Sequence, residues 1–310
     1  MTEIVAIIGA GLIGRAWSAL FARAGYEVQI WDADPGVLDR FMADMAKLCD
    51  TMQAEGLLED REGALARLHT SPTLEEAVKG VIFVQENGPE KVEVKIDLFA
   101  RLDAATVPEA IIASSTSAIV ASRFTEGLAH RGRCLVGHPV NPPHLVPVVE
   151  LCPAPWTTTE IMDRAEALYA AIGQVPVRMT RERDGFVLNR LQGALLAEAL
   201  RLLGEGVVSV EGLDATIKDG LGLRWALMGP IETIDINAPG GMVDYANRYG
   251  GFYARLAQEP AGPEVFSADN AEKIAATWPK DRSPDAIRTR QDRRDARLAA
   301  LRRHLASEQS

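Results

Sequence analysis

The chain has 310 residues, enough for about two domains, with 47% hydrophobic and 25% charged residues, the balance of a globular protein with material for a sizeable core. Its net charge of -10 and pI near 5.1 argue against nucleic acid or an anionic membrane surface as partner. The three cysteines, Cys49, Cys134 and Cys152, form no CxxC pair, which speaks against a disulfide framework or a zinc site and suits a reducing, cytoplasmic setting. No secretory leader is visible, and no apolar run reaches the roughly 20 residues of a membrane helix.

The first element is the β-branched run IVAII (Ile4 to Ile8), the pattern of a parallel strand covered on both faces. Gly9, Gly11 and Gly14 follow in the order GxGxxG, then a helical pattern with Trp17, Leu20 and Phe21 on one face, then the strand YEVQIW ending at Asp32. GxGxxG alone is a weak signal; strand, helix and terminal acid together make a dinucleotide fingerprint. Gly9 serves the tight turn, Gly11 the approach of a pyrophosphate to the backbone, and Gly14 the close packing of helix on strand. Leu12 and Ile13 belong to the same cofactor-binding turn at the positive end of the helix. Asp32, eighteen residues after Gly14, accepts two ribose hydroxyls and repels a 2′-phosphate, so the cofactor expected is NAD.

Next come the helix VLDRFMADMAKLCDTMQAEGLL and a polar connection from Glu59 to Thr73. VIFVQE (Val81 to Glu86) reads as a buried strand, KVEVKIDLFARLD as a helix and AIIASSTS as the next strand. CLVGH and VPVVEL continue the sheet, MDRAEALYAAIG is an amphipathic helix with a glycine stop, and VPVRM closes the alternation. The fold class expected is α/β: a Rossmann-type doubly wound sheet over residues 1–184, then an all-helical domain over 185–310. In the latter, FVLNRLQGALLAEALRLLGEG is a long helix apolar on nearly all sides, which predicts deep burial. The tail from Asp281 interleaves arginines and aspartates, the pattern of a solvated or subunit-bridging helix.

His138 ends one strand and Glu150 lies twelve residues on inside another, with Pro139, Pro142, Pro143 and Pro147 stiffening the connection. A chain that doubles back brings the carboxylate beside the imidazole, a general-base pair suited to taking a hydroxyl proton. The bland alternative is a solvated strand-edge glutamate and a loop histidine. Ser117 ends AIIASSTS at the carboxyl edge of the sheet, where ligands bind in such folds, although a helix N-cap would also explain it.

The glycine fingerprint, the SSTS strand end, GHPVNPPHLVPVVEL and DGFVLNR together resemble the 3-hydroxyacyl-CoA dehydrogenase superfamily. HPVNPP, VPVVEL, DGFVLNRLQ, DGLGLRWALMGPIET and the arginine-rich tail are similar to its lambda-crystallin and L-gulonate 3-dehydrogenase branch, and the similarity runs from residue 4 to about 303. The resemblance implies an NAD-dependent dehydrogenase with His138 and Glu150 as the base pair. It implies Ser117 and Asn189 as donors to the reacting oxygen, Asn141 as a support of the His138 loop in the substrate site, and Glu90 and Lys95 near the nicotinamide ribose. It also implies a homodimer formed through the helical domain. Arg224, in the LRWA element, matches branches acting on free hydroxy acids, and a guanidinium there grips a carboxylate; a salt bridge supporting the loop is the alternative. Trp225 beside it reads as core. Residues 37–62 carry Arg40, Lys47 and Arg61 against seven acids, a poor surface for the polyanion CoA. The substrate expected is a small polar hydroxy acid, L-gulonate first, with 3-hydroxybutyryl-CoA and a non-catalytic NAD-binding role as the rivals.

Overall fold

The computed structural model of the protein describes residues 3–307. Residues 3–188 with 291–307 form one compact unit and residues 189–290 a second. The first unit opens with β1 (Ile4–Ile8), α1 (Leu12–Arg23), β2 (Glu27–Trp31) and α2 (Pro35–Ala54). Then come α3 (Arg61–Ala66), β3 (Leu68–Thr70), α4 (Leu74–Ala77), β4 (Phe83–Glu86), α5 (Val92–Ala105) and β5 (Ile111–Ser114). It closes with α6 (Ser122–Thr125), β6 (Cys134–Pro139), β7 (Val148–Pro153), α7 (Thr159–Ala171) and β8 (Val175–Arg178).

All eight strands form one sheet in the order β3-β2-β1-β4-β5-β6-β7-β8. Every neighbouring pair is parallel except β6 and β7, which run antiparallel. Alternate residues of β1 serve opposite faces: Val5 and Ile7 join a cluster with Trp17, Phe21, Phe83 and Tyr169, while Ala6 and Ile8 join one with Phe99, Phe124, Val136 and Phe186. The sheet is therefore buried on both sides, as its apolar runs require. Side-chain caps set the helix starts, with Asp34 accepting from the Gly36 N–H at 2.9 Å and Thr158 from that of Ile161 at 3.3 Å. The polar connection expected over residues 59–73 is ordered instead. Asp60 caps α3, and β3 adds an edge strand parallel to β2. With only Leu68 buried in a three-residue strand, no alternation marks it in the sequence.

The second unit contains most of α8 (Leu188–Gly204), then α9 (Val210–Ala215), a π-helical turn (Thr216–Leu221), α10 (Gly222–Trp225), α11 (Pro230–Ile236), α12 (Gly241–Leu256) and α13 (Ala268–Thr277). None of its described residues lies in a strand. The deep burial predicted for α8 is not found: Ala199 is its only buried residue and Leu191 is 65% exposed. The apolar sides that suggested a core position face outward within this chain.

α14 (Pro284–Ser307) is not wholly solvated either. From Gln291 on it belongs to the first unit, where Ala299 is fully buried. Arg302 donates to the carbonyl of His144 at 2.8 Å, and Arg303 to that of Glu55. His144 lies between β6 and β7 with a buried Nδ1 that has no hydrogen-bond partner among the described residues. Burial pushes its pKa down to about 4; Asp295 opposes this, and Arg302 and Arg23 add to it. Three buried cysteines are free thiols, and among the described residues no helix is long and apolar enough to cross a membrane.

The folded protein thus holds His144 neutral, whereas the unfolded chain takes up a proton near the ordinary value of 6.5. The stability this contributes is complete above that value and is lost as the pH falls toward 4. Urea denaturation across this interval should show the wild type losing stability that a His144→Leu variant retains. Parallel pH profiles for the two proteins would contradict the assignment.

Candidate active site

The turn after β1 is shaped by two close approaches. Gly9 has φ of 94°, and a Cβ there would sit 2.8 Å from the Asn87 carbonyl oxygen. A Cβ on Gly14 would lie 1.9 Å from the carbonyl oxygen of Gly9, so α1 rests directly on the turn only because that position is glycine. A Cβ on Gly11 would meet nothing within 4 Å, and no side chain caps the N-terminus of α1. Free N–H groups therefore face open space, the arrangement that holds a pyrophosphate. Leu12 is exposed at the first turn, and Ile13 packs partly into the core.

Asp32, at the end of β2, accepts the Ala10 N–H at 2.7 Å and the Asp34 N–H at 2.9 Å. It lines a cleft of about 690 Å³ together with Gly9, Gly11, Trp31, Asn87 and Arg101. The volume suits a nucleotide half. Asp34 and Asp97 also line it, so the cleft accepts ribose hydroxyls and disfavours an additional phosphate. The residues present fit NAD.

At the ends of β4 and β5, Glu86 accepts the Lys95 ammonium at 2.9 Å on both oxygens, the Gly88 N–H at 2.6 Å and the Ser114 hydroxyl. Lys95 and Glu86 are both fully buried. Lys95, expected near a ribose, is found in a buried ion pair with Glu86 behind the Gly88 loop. Glu90 accepts the Thr116 hydroxyl and lies 3.4 Å from the N–H of Ser117. Ser117 itself is exposed just beyond β5.

The antiparallel register sets His138 directly opposite Glu150. His138 Nδ1 and Glu150 Oε2 are 2.8 Å apart, with the residues 6% and 2% exposed. The other carboxylate oxygen accepts the N–H groups of Val187 and Leu188, each at 2.8 Å, at the start of α8. Burial alone would raise the Glu150 pKa. The hydrogen bonds from His138, Leu188 and Val187 outweigh it and hold the carboxyl below its ordinary value. An ionised carboxylate only accepts, so Nδ1 donates to Glu150, and in a neutral imidazole so bonded the lone pair is on Nε2.

The side chain of Asn141, expected to support the His138 loop, is exposed. Two other bonds hold the loop: the Val140 N–H donates to the Val148 carbonyl at 3.1 Å, and the Arg302 guanidinium donates to the His144 carbonyl. Beneath the site lies a buried polar network the sequence reading missed. Gln85 donates to Ser115 Oγ at 2.7 Å and accepts the Tyr169 hydroxyl; Ser115 accepts the Trp17 indole N–H at 3.0 Å and donates to Asn87 at 2.7 Å. A glutamine inside the apolar run VIFVQE was its signal. The same tyrosine explains Gly137, where a Cβ would lie 2.1 Å from its hydroxyl oxygen.

In the second unit, Asn189 stands half-buried in the first turn of α8. Arg224, on α10, is exposed and pairs with no carboxylate among the described residues. The alternative of a supporting salt bridge therefore has no counterpart among the described residues. Trp225 is 39% exposed rather than core.

A family model described as the 3-hydroxyacyl-CoA dehydrogenase NAD binding domain matches residues 4–183, and one for the C-terminal domain of the same family matches residues 185–276. The chain belongs to the 3-hydroxyacyl-CoA dehydrogenase family. It is an NAD-dependent oxidoreductase acting on CH–OH. A lambda-crystallin homolog from Bos taurus is 45% identical over 87% of this chain and 85% of its own length. An L-carnitine dehydrogenase from Streptomyces griseus subsp. griseus is 42% identical over 79% of this chain and 73% of its own. Among solved structures, a 5-formyl-3-hydroxy-2-methylpyridine 4-carboxylic acid 5-dehydrogenase, described as an NAD+ dependent dismutase, superposes with TM-score 0.85 at 27% identity, covering 99% of each chain.

The open space over Gly11 yields a direct check. Gly11→Leu should weaken NADH binding at least about tenfold while thermal stability stays close to wild type, because the added side chain meets only the volume the pyrophosphate would take. Unchanged NADH affinity in a calorimetric titration would remove Gly11 from the cofactor site.

Proposed function

We propose that the chain oxidises the 3-hydroxyl of a polar hydroxy acid, with L-gulonate as the substrate and 3-dehydro-L-gulonate as the product. The observation that carries this is the buried His138–Glu150 pair, 2.8 Å between Nδ1 and the carboxylate, which leaves Nε2 basic. His138 takes the hydroxyl proton there. Glu150 keeps the tautomer and stabilises the imidazolium that forms. The Ser117 hydroxyl and the Asn189 amide hold the reacting oxygen. NAD supplies the acceptor for the hydride that leaves the carbinol carbon. Arg224, without a carboxylate of its own among the described residues, binds the substrate carboxylate.

In this proposal residues 1–184 bind the cofactor, and 185–310 bind substrate and join two chains. Large exposed apolar side chains in the second unit, Val243 at 73% and Leu227 at 70% among them, support a homodimer. A free acid is favoured over a CoA thioester because the scarce cations near α2 are partly committed. Arg61 pairs with Asp50 at 2.5 Å and Glu62 at 2.9 Å, and Arg15 pairs with Asp44.

A second reading, oxidation of L-carnitine, is favoured by aromatic rings in the second unit. Tyr245 feels the charge of Arg224, and its ring lies 4.7 Å from Tyr249 and 6.4 Å from Tyr253 on α12. Such faces attract a quaternary ammonium, beside a guanidinium for the carboxylate.

NADH formation measured with L-gulonate, L-carnitine and 3-hydroxybutyryl-CoA side by side separates these readings. L-Gulonate should be turned over best; His138→Gln should lower kcat by about 10²- to 10⁴-fold. Arg224→Ala should raise KM for the acid by about 10- to 100-fold. Faster turnover of the thioester, with no effect of Arg224→Ala, would defeat the hydroxy-acid assignment.

A further inference from the structure

Phe186 is the only non-glycine residue among those described with a positive φ, at 49°. It follows Gly185, at φ 74°, and its N–H closes a turn on the Arg183 carbonyl at 3.0 Å. The side chain is fully buried in the cluster that holds Val136 and Cys152. Its ring centroid lies 5.3 Å from that of His138, at an interplanar angle of 42°. A bulky residue in the left-handed region is an outlier that persists only where its surroundings over-determine it, and such outliers concentrate at functional sites.

We infer that Phe186 is a positioning residue for His138, acting through two linked devices. Its backbone, with that of Gly185, reverses the chain ahead of α8 so that the next two N–H groups, of Val187 and Leu188, both reach Glu150 Oε1 at 2.8 Å. That leaves Oε2 to face His138 Nδ1 at 2.8 Å. Its ring packs on the imidazole as an apolar surface without hydrogen-bonding groups, so the Nδ1 proton has the carboxylate as its partner and the ring plane is held. A glycine would make the same turn without the steric conflict of a Cβ at positive φ. The aromatic ring is what a glycine could not supply. The inference rests on the base-pair role of His138 and Glu150 proposed above.

Two variants separate the devices. Phe186→Gly keeps the turn accessible and removes the ring, while Phe186→Leu keeps apolar bulk and removes the flat face. Each is compared with wild type and His138→Gln by L-gulonate kinetics, by NADH affinity, and by nitrogen NMR of histidine-labelled protein, in which His138→Gln assigns the His138 signals. Wild type should show the single tautomer protonated at Nδ1. Both Phe186 variants should show a mixture with the other tautomer, kcat lowered about 10- to 100-fold, KM within about threefold and NADH affinity within about twofold. A wild-type tautomer in Phe186→Gly would overturn the role of the ring. So would a parallel loss of NADH affinity in both variants with no tautomer change, the signature of general damage to the unit. Full activity in His138→Gln would overturn the base-pair reading instead, a failure that the Phe186 variants cannot produce.

Discussion

The pairing of His138 with Glu150 depends on one reversal of strand direction. Six strands of the sheet, β1 to β6, run the same way, and a further parallel strand beside β6 would need a crossover of about a dozen residues or more. β7 instead returns antiparallel through a short proline-rich connection, and antiparallel register places residues of the two strands face to face. His138 and Glu150 are such a pair. Proximity of acid and base is thus a property of backbone hydrogen bonding rather than of flexible side chains reaching for each other, and this is the kind of support that keeps a reacting group in place.

A carboxylate as buried as Glu150 is tolerated only if its charge is answered by donors. Three answer it: His138 and the N–H groups of Val187 and Leu188. The last two belong to the start of α8, where unsatisfied N–H groups and the helix dipole both favour an anion. Glu86 solves the same problem differently, with Lys95, Ser114 and the Gly88 N–H. Two buried glutamates at the ligand-binding edge of one sheet therefore do different work. The one held by a lysine is locked in a fixed pair that shapes the loop beside the cofactor cleft. The one held by backbone amides keeps an oxygen for a titratable partner.

The parts legible in the sequence were those in which a residue type contradicted its surroundings. GxGxxG interrupts a β-branched run, an aspartate ends the second strand, and a glutamate sits in VPVVEL; each contradiction has a local cause, so sequence alone locates it. Gln85 carried the same kind of signal in VIFVQE but lacked a motif to attach it to. What could not be read depends on which side chains the fold brings together, whatever their separation in the chain. Lys95 looks like a surface cation until Glu86 is placed beneath it, and nothing near the His138 loop announces that Arg302 donates to the His144 carbonyl, 158 residues away. β3 offers one buried residue and no period. α8 misled for the opposite reason: its apolar pattern is genuine, yet hydrophobicity reports the character of a face and not whether the fold buries it.

The same distinction bears on substrate choice. The charge count over residues 37–62 concerns residue identity, whereas a polyanion responds to charges that are free to meet it. Arg61 spends its guanidinium on Asp50 and Glu62, and Arg15 on Asp44 at the face of α2. Accepting a phosphate there would require breaking these pairs and leaving their carboxylates beside the incoming anion, so the cost exceeds what a bare count of three cations implies. Arg224 is in the opposite condition, exposed and without a carboxylate partner among the described residues. A cation whose charge has no internal claim can be offered to a ligand without that penalty. The contrast between a committed arginine and an available one, more than the number of either, is the physical basis for the proposed preference for a free carboxylate.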